Sequence, residues 1–217
     1  YLEHSAGIFH EPPIKLGNMH EAFKSIFQLQ KYPEVNDSGD CAIQFVADIV
    51  VKNVFWVSGG GSMHLCDSFG KQSGLSYVAT HHEQAAAMAA EAYARLNGLG
   101  CCLVTTGPGG TNAITGVACA WIDSIPVVFI SGQVTRDTLL AETGLRQFGV
   151  QESDIVTMVS SVTKYAVTIQ DERDIKHALQ QAVYLATHGR QGPVWIDIPL
   201  DIQSKQINPD ELVSFQP

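Results

Sequence analysis

The sequence is poor in positive charge and has no long apolar run. Its 13 lysines and arginines are outnumbered by 22 aspartates and glutamates, which leaves a formal net charge of −9. A surface that binds nucleic acid or an anionic membrane needs a basic stripe, so this balance argues against both partners. No apolar stretch reaches membrane-spanning length, and no signal-peptide pattern is visible. We therefore expect neither a nucleic-acid nor a membrane partner.

The spacing of the cysteines does not suggest metal ligands. The five cysteines are Cys41, Cys66, Cys101, Cys102 and Cys119. Most of them fall within apolar helix or strand patterns, which favours buried thiols in a reducing compartment over a metal site or a disulfide. We therefore predict no metal ligands on this chain and a cytoplasmic protein.

The chain divides into three parts by composition. Residues 1–39 are expected to form an N-terminal arm, with a short helix that Asn18 can cap and a linker before residue 40. Residues 40–203 are expected to form one domain, since this length can bury a core of its own. Asp40 is predicted to cap its first helix. The polar residues 204–217 are predicted to be a linker towards a missing C-terminal portion.

From residue 53 onwards, short apolar runs alternate with helical stretches. The predicted strands are Val54–Val57, Leu75–Thr80, Cys101–Thr105, Val127–Ser131, Tyr165–Ile169 and Val194–Ile198. The predicted helices between them are Ser62–Lys71, Glu83–Leu96, Thr111–Ile122, Ser153–Val159 and Glu172–Thr187. This alternation predicts an α/β fold, a doubly wound six-stranded parallel sheet with helices on both faces. Its ligand crevice should lie at the carboxyl ends of the strands.

Two of the turns that follow predicted strands are rich in glycine. One is Ser58–Gly61, and the other is Thr106–Asn112. Glycines allow a backbone to approach a bound group and to adopt positive φ, and such a turn before a helix can hold a phosphate. However, the spacing is not G-x-G-x-x-G and no Walker lysine follows. A plain tight turn explains the first segment equally well, and a turn with Thr111 or Asn112 as helix cap explains the second.

A third unusual segment joins Ser131–Val134 to Gln151-Glu152. A connection of this length in a compact domain is often functional. The carboxamides of Gln133 and Gln151 can both donate and accept hydrogen bonds. This segment is therefore a candidate wall of the site.

Glu83 is the most informative residue in the sequence. It is predicted to lie in the first turn of an alanine-rich helix, at the carboxyl end of a strand. Burial among small apolar residues would disfavour the ionised carboxylate, whereas the positive end of the helix dipole favours it. A carboxyl group held between two states is suited to proton transfer, although an isolated acidic residue at a helix start is more often only a stabilising group.

Taken together, these segments resemble a known family. The motifs are Gly59-Gly60, His82-Glu83-Gln84, Ala89–Arg95, Gly107-Pro108-Gly109 with Thr111-Asn112, Gly132–Val134, Gln151-Glu152, and Gly192–Val194 with Asp197–Pro199. Each is weak alone, but their combination and order are specific. From about Asp40 to Gln203 the chain resembles the N-terminal, pyrimidine-binding domain of thiamine-diphosphate enzymes, closest to the acetolactate synthase-like group.

The resemblance implies a cofactor, a reaction and a set of site residues. The implied cofactor is thiamine diphosphate, and the implied reaction decarboxylates a 2-oxo acid and transfers the acyl carbanion to a carbonyl acceptor. Glu83 would hydrogen-bond the pyrimidine ring and help to form the tautomer that activates the cofactor, and Gln151 would be a second catalytic residue. The residues implied to line the cofactor or substrate side are Gly59, Gly60, Gly107, Pro108, Asn112 and Gln133.

Some positions depart from the family's pattern and leave alternatives open. Ser58 stands where acetolactate synthases have proline, and Val150 stands where they have phenylalanine before the Gln-Glu pair. These departures leave room for another acceptor or donor. One alternative is therefore a simple 2-oxo acid decarboxylase. A module that keeps only the fold is another, since a fold alone does not fix function.

One motif of the family is missing. Its members hold Mg²⁺ and the diphosphate with a Gly-Asp-Gly motif on a second domain, and this sequence contains no Gly-Asp-Gly. The resemblance therefore implies that the sequence, which begins with Tyr1, is the N-terminal portion of a longer enzyme or one subunit of a split one. Mg²⁺ would be bound by the second domain, in the same or a partner chain, within a homodimer or homotetramer.

Overall fold

The computed structural model describes residues 37–49, 51–140, 143–208 and 211–217, and within them the chain forms a single parallel sheet of six strands. The strands are β1 (Asn53–Trp56), β2 (Ser76–Ala79), β3 (Gly100–Val104), β4 (Val127–Gln133), β5 (Tyr165–Thr168) and β6 (Val194–Pro199). They lie in the order β2-β1-β3-β4-β6-β5, and every neighbouring pair is parallel. The predicted sheet is confirmed.

Helices cover both faces of this sheet. They are α1 (Ser38–Asp48), α2 (Met63–Lys71), α3 (Glu83–Asn97), α4 (Pro108–Ile122), α5 (Ile155–Val159), α6 (Ile175–Thr187) and α7 (Leu200–Gln203). Successive residues of a strand point to opposite faces, so Cys101 and Leu103 join the core beneath α1, α2 and α6, whereas Cys102 and Val104 join the core beneath α3, α4 and α5. The doubly wound α/β fold is therefore confirmed.

The first helix begins earlier than predicted. Asp37 is the N-cap of α1, and its Oδ1 accepts a hydrogen bond of 2.8 Å from the backbone N–H of Asp40. The prediction that Asp40 caps this helix was therefore wrong. Asp40 lies buried in the first turn, where it accepts a 2.7 Å hydrogen bond from the hydroxyl of Ser68 on α2. Two aspartates three residues apart suit a cap equally well by pattern, and packing against α2 decides between them.

The glycine-rich segment after β3 is also more helical than predicted. Helix α4 starts at Pro108, with Gly107 as its N-cap, so neither Thr111 nor Asn112 is the cap. Proline suits the first position of a helix because its missing N–H has no partner there in any case. Asn112 is consequently in the second turn of α4, and its side chain is free to point towards α3.

The two ends of the described domain meet. Asp37 and Gln206 form an antiparallel bridge, and the backbone N–H of Ser38 donates to the carbonyl of Lys205 at 3.0 Å. Further along, Leu212 is buried and the N–H of Phe215 donates to Gln180 Oε1 at 2.8 Å. Lys205, Gln206, Leu212 and Phe215 thus contact the body of the domain. The helix predicted near residues 19–31 lies outside the described residues, and the division at residues 39 and 203 stays a prediction.

The prediction of buried thiols is confirmed for three of the five cysteines and is wrong for the exposed Cys119. All five are free; Cys41, Cys101 and Cys102 are buried, Cys66 is half-buried and Cys119 is exposed. Burial raises the pKa of Cys41 and of Cys101 to about 12. Among the described residues, no cluster of His, Cys, Asp or Glu could hold a metal ion. No helix in that part of the chain is long and apolar enough to cross a membrane.

Candidate active site

A cavity of about 550 Å³ opens at the carboxyl edge of the sheet. The chain passes from β1 to β2 on one side and returns to β3 on the other, so the loops after β1 and β3 flank the point where ligands bind in doubly wound folds. Its walls come from the loops after β1 and β3, the end of β4 and the turn at residues 148–151. Four predicted site residues line it: Gly59, Gly60, Gln133 and Gln151.

Threonine hydroxyls join the loops around this cavity. Thr105 Oγ1 accepts a 3.1 Å hydrogen bond from the N–H of Gly61, and a Cβ on Gly59 would lie only 2.5 Å from Thr105 Cγ2. Gly59 has an extended φ of −172°. Close approach to Thr105 explains Gly59, and close approach to Thr106 Oγ1, 1.8 Å from a Cβ at that position, explains Gly61. The positive φ that the sequence suggested occurs at neither.

The loop after β3 touches the turn that carries Gln151. Gly107 has φ of +57° and Gln151 has φ of +59°. A Cβ on Gly107 would lie 1.8 Å from the carbonyl oxygen of Gln151. Only glycine fits there, and its absence of a side chain lets Gln151 approach the start of α4. Pro108, the other predicted residue of this loop, is exposed as the first residue of α4.

Glu83 is the first residue of α3, and its carboxylate is paired with an amide. His82 caps the helix, since its Nδ1 accepts a 3.1 Å hydrogen bond from the N–H of Gln84. Asn112 Nδ2 on α4 donates to Glu83 Oε2 at 2.9 Å. The structure thus brings together two predicted site residues from neighbouring helices, and both are half-buried.

The pair lies beside the cavity and is not among the residues that line it. Thr105 does line the cavity, and Gly109 is close to both Thr105 and Glu83: a Cβ on Gly109 would be 2.7 Å from Thr105 Cγ2 and 3.6 Å from Glu83 Oε1. The absence of a side chain at Gly109 therefore allows Thr105 and the Glu83 carboxylate to approach the start of α4 closely. The site consists of a cavity and an adjoining carboxylate–amide pair.

Gln133 is held by the protein and is only 2% exposed. Its Nε2 donates to the carbonyl of Ser153 and to Asp197 Oδ2, both at 3.1 Å. Its Oε1 accepts a 3.0 Å hydrogen bond from the N–H of Val134. No local pattern predicts this arrangement, although Asp197 belongs to one of the motifs that carry the family resemblance.

Glu152 is a second residue whose role the pattern did not reveal. Its carboxylate accepts hydrogen bonds from the N–H groups of Phe148 at 3.3 Å and Gly149 at 3.2 Å, and also from that of Leu140. These bonds fold the segment before Gln151 into the cavity wall. Its partners lie up to 12 residues earlier in an irregular segment, so no local pattern predicts these contacts.

The chain matches a described protein family over most of its length. Residues 37–181 match the family described as "Thiamine pyrophosphate enzyme, N-terminal TPP binding domain". The matched range begins at the Asp37 cap and includes α3, α4 and the cavity-lining turns after β1, β3 and β4.

Individual relatives agree with this match. The chain is 39% identical over 178 residues to acetolactate synthase 2, chloroplastic, of Nicotiana tabacum, covering 82% of this chain and 26% of that protein. It is 41% identical over 161 residues to acetolactate synthase, chloroplastic, of Arabidopsis thaliana, covering 74% and 23%. With the acetolactate synthase isozyme 3 large subunit of Escherichia coli it shares 39% identity over 170 residues, covering 78% and 29%.

The chain spans about a quarter of the length of these relatives. The family match, by contrast, covers well over half of the chain. The chain therefore belongs to the thiamine pyrophosphate enzymes, as an acetolactate synthase-like N-terminal TPP binding domain.

Proposed function

We propose that this chain is the cofactor-activating part of a thiamine-diphosphate enzyme that decarboxylates a 2-oxo acid and transfers the acyl group to a carbonyl acceptor. The observation that carries the proposal is the Glu83–Asn112 pair at the start of α3, next to a cavity at the ligand-binding edge of the sheet. The relatives named as acetolactate synthases support the transfer of an acyl group to a carbonyl acceptor.

The residues present fit the cofactor. A cavity of about 550 Å³ is large enough for part of a drug-sized molecule, and the backbone at Gly60 faces open space, because a Cβ there would meet nothing within 4 Å. Thiamine diphosphate, when bound, supplies a carbon nucleophile for the substrate carbonyl and an electron sink for decarboxylation. The residues that would hold it are Gly59, Gly60, Glu83, Gly107, Pro108, Asn112 and Gln133.

Glu83 would hold and exchange a proton at the pyrimidine ring of the cofactor. The Asn112 amide occupies Oε2 and fixes the rotation of the carboxylate, which would leave Oε1 for the ligand. Asn112 cannot take up the proton itself, because an amide does not titrate in this range. Glu83 is the first residue of α3, so its carboxylate lies at the positive end of the helix dipole.

Magnesium binding and the completion of the site are assigned to a second domain. Within the described residues no group of acidic, histidine or cysteine side chains could hold a metal ion, and the sequence contains no Gly-Asp-Gly. We place Mg²⁺ on that domain, in the same or a partner chain of a homo-oligomer. Several relatives are named as chloroplastic, so the cytoplasmic location of this protein stays a prediction.

The second candidate is a simple 2-oxo acid decarboxylase, which would release an aldehyde. The observation that favours it is Val150, which lines the cavity, is 84% exposed, and stands where the resemblance leads us to expect phenylalanine. Incubation of the complete enzyme with pyruvate, alone and with added 2-oxo acid acceptors, separates the two. Acetolactate or a related hydroxy-keto acid supports transfer, whereas acetaldehyde alone supports the second candidate.

The proposal is tested by Glu83→Gln in the complete enzyme. Glutamine keeps the size and a hydrogen bond but cannot exchange the proton, so turnover should fall by roughly two to four orders of magnitude. Exchange of the thiazolium carbon proton of the cofactor with deuterated solvent should slow in parallel. Folding should survive, because the lost interaction with the helix dipole costs within about 1 kcal/mol.

Glu91→Gln on the same helix is the matched control. Glu91 is buried and accepts a 2.7 Å hydrogen bond from Arg95 Nε, two turns away from Glu83. We expect this variant to exchange the cofactor proton at close to the wild-type rate. If Glu83→Gln also exchanges and turns over like the wild type, Glu83 is only a helix-start carboxylate and the proposed mechanism is wrong.

A further inference from the structure

A buried polar network lies beneath the cavity, centred on Asp197 of β6. Asp197 is 1% exposed, and its carboxylate accepts three hydrogen bonds from side chains. The donors are Ser131 Oγ at 2.6 Å, Thr168 Oγ1 at 3.0 Å and Gln133 Nε2 at 3.1 Å. In the parallel register, Ser131 of β4 and Thr168 of β5 stand beside Asp197, so the carboxylate joins three adjacent strands at their carboxyl ends.

The network determines which way the Gln133 carboxamide points. Its Nε2 donates to two groups, the carbonyl of Ser153 and the carboxylate of Asp197. Neither of these oxygens can donate while Asp197 is ionised, so the nitrogen end must face them. The Oε1 end already accepts from Val134 N–H, which leaves one lone pair for any further partner. A ligand can therefore reach the Gln133 side chain only as a hydrogen-bond donor.

The same contacts extend to the turn that carries Gln151. Ser153 is two residues beyond Gln151, and its carbonyl is bound by Gln133. Trp195 Nε1 donates to Ser131 Oγ at 2.8 Å, which orients the hydroxyl that faces Asp197. The chain of contacts thus runs from the sheet through Asp197 and Gln133 to one wall of the cavity.

We infer that Asp197 is a positioning residue, which orients the carboxamide of Gln133 and, through it, holds the backbone at Ser153 and the turn that presents Gln151 to the cavity. It does not touch the cavity itself. The orientation rests on the geometry alone, and the link to activity rests on the proposed function, in which the cavity is the active site.

The ionisation of Asp197 gives this arrangement a measurable signature. Burial raises the pKa of Asp197 to about 7, although the three hydrogen-bond donors lower it by favouring the charged form. The nearby carboxylate of Asp154 also raises this pKa. The Gln133 amide should therefore sense a titration near neutral pH. Because the folded pKa lies above the ordinary value of 3.8, this group favours the folded state most below pH 4 and loses that effect as the pH rises to about 7.

The experiment follows the side-chain amide signals of glutamine by NMR in the 217-residue chain between pH 5 and pH 9. Gln133→Leu identifies the Gln133 pair of signals. In the wild type these protons should exchange slowly with solvent and shift with a midpoint near pH 7. Asp197→Asn can retain the bonds if its amide donates to Ser131 Oγ, but it has no charge to titrate, so the Gln133 signals should become independent of pH.

Thr168→Val is the matched control. It removes one donor to the ionised carboxylate without touching Gln133, so the Gln133 signals should persist while their midpoint moves to higher pH. Rapidly exchanging Gln133 protons in the wild type, or signals that Asp197→Asn leaves unchanged, would overturn the positioning role.

Activity separates this inference from the proposed function. In the complete enzyme, Asp197→Asn should lower kcat/KM about tenfold and change the shape of its pH profile, because the position of Gln151 is set less firmly. Unchanged activity, combined with the predicted change in the Gln133 signals, upholds the orientation of Gln133 and contradicts the assignment of catalysis to this cavity. Unchanged Gln133 signals overturn the positioning role whatever the activity.

Discussion

At the scale of single residues, a side chain at Gly60 would contact no other part of the described protein but would point into space that a ligand in the cavity would need. A Cβ there meets nothing within 4 Å, and the backbone φ is not positive. We expect Gly60→Ala to change the free energy of unfolding by no more than about 1 kcal/mol. Affinity of the complete enzyme for thiamine diphosphate should fall at least tenfold, measured by calorimetric titration with Mg²⁺ present.

Gly70→Ala provides the comparison for this substitution. Gly70 lies in α2, and a Cβ there also meets nothing within 4 Å, but Gly70 does not line the cavity. Its replacement should leave cofactor affinity unchanged and stabilise the helix by up to about 1 kcal/mol. Equal cofactor affinity of the Gly60 and Gly70 variants would show that the open space at Gly60 is not used.

The sequence allowed some of the site to be predicted, and the reason differs from residue to residue. Gly59, Gly60 and Gln151 follow strands or lie in a long connection, and the carboxyl ends of parallel strands share one edge, so their meeting could be expected. The orientation of Gln133 could not, because its partner Asp197 lies 64 residues away and comes close only when β6 pairs with β4. A local pattern contains no information about such a contact.

At the scale of elements, the contact between α3 and α4 fixes the position of Glu83 relative to Asn112. Small residues allow the close approach: a Cβ on Gly116 of α4 would lie 2.5 Å from Ala87 Cβ of α3. We expect Gly116→Ala to destabilise the protein by about 1–3 kcal/mol through overpacking, despite the better helix propensity of alanine. Denaturant unfolding of the chain measures this.

The two glycine-to-alanine replacements should change the free energy of unfolding in opposite directions. Gly70→Ala is the same replacement in a helix without a close neighbour, and it should stabilise. A Gly116→Ala variant that is as stable as Gly70→Ala would mean that α3 and α4 can move apart without cost. In that case the 2.9 Å hydrogen bond between Asn112 Nδ2 and Glu83 Oε2 would not depend on the tight packing of the two helices.

The elements themselves were predictable in kind and order, but less so at their ends. All six strands were expected from their short apolar runs between helical stretches. The runs in β3, β4 and β6 are continuous because these strands are buried along their whole length. The start of α4 was placed at Thr111 instead of Pro108, because Gly-Pro-Gly-Gly is typical of turns. The helix starts there because Gly107 makes the turn with positive φ and Pro108 needs no N–H partner.

At the scale of the whole molecule, we expect the 217-residue chain alone to bind thiamine diphosphate weakly. Under the proposed function, the described residues would contact the neutral pyrimidine ring of the cofactor, partly through their backbone. No metal-binding cluster is present among them to anchor the diphosphate. Calorimetric titration of this chain with cofactor and Mg²⁺ measures the affinity. Tight, magnesium-dependent binding would contradict the assignment of the metal to a second domain.

We also expect the complete enzyme to self-associate through the outer surfaces of α3 and α4. These helices expose large apolar side chains: Met88, Leu96, Trp121 and Ile122. Sedimentation should give a dimer or a larger assembly, and association should slow alkylation of the exposed Cys119 on α4. The half-buried Cys66 on α2 lies on the opposite face of the sheet and is the internal reference. A fully active monomer with a freely reactive Cys119 would contradict this prediction.

The bridge between Asp37 and Gln206 holds two points that are far apart in the sequence close together in space. Paired residues of an antiparallel bridge lie about 5 Å apart, so a chain that enters at one and leaves at the other is hardly diverted. The ends of residues 37–206 could therefore be spliced into a surface loop of an unrelated protein without spreading that loop, although the contacts of Leu212 and Phe215 with the body would be lost. The same proximity suits circular permutation, with a short linker between the two ends and new termini at an exposed turn.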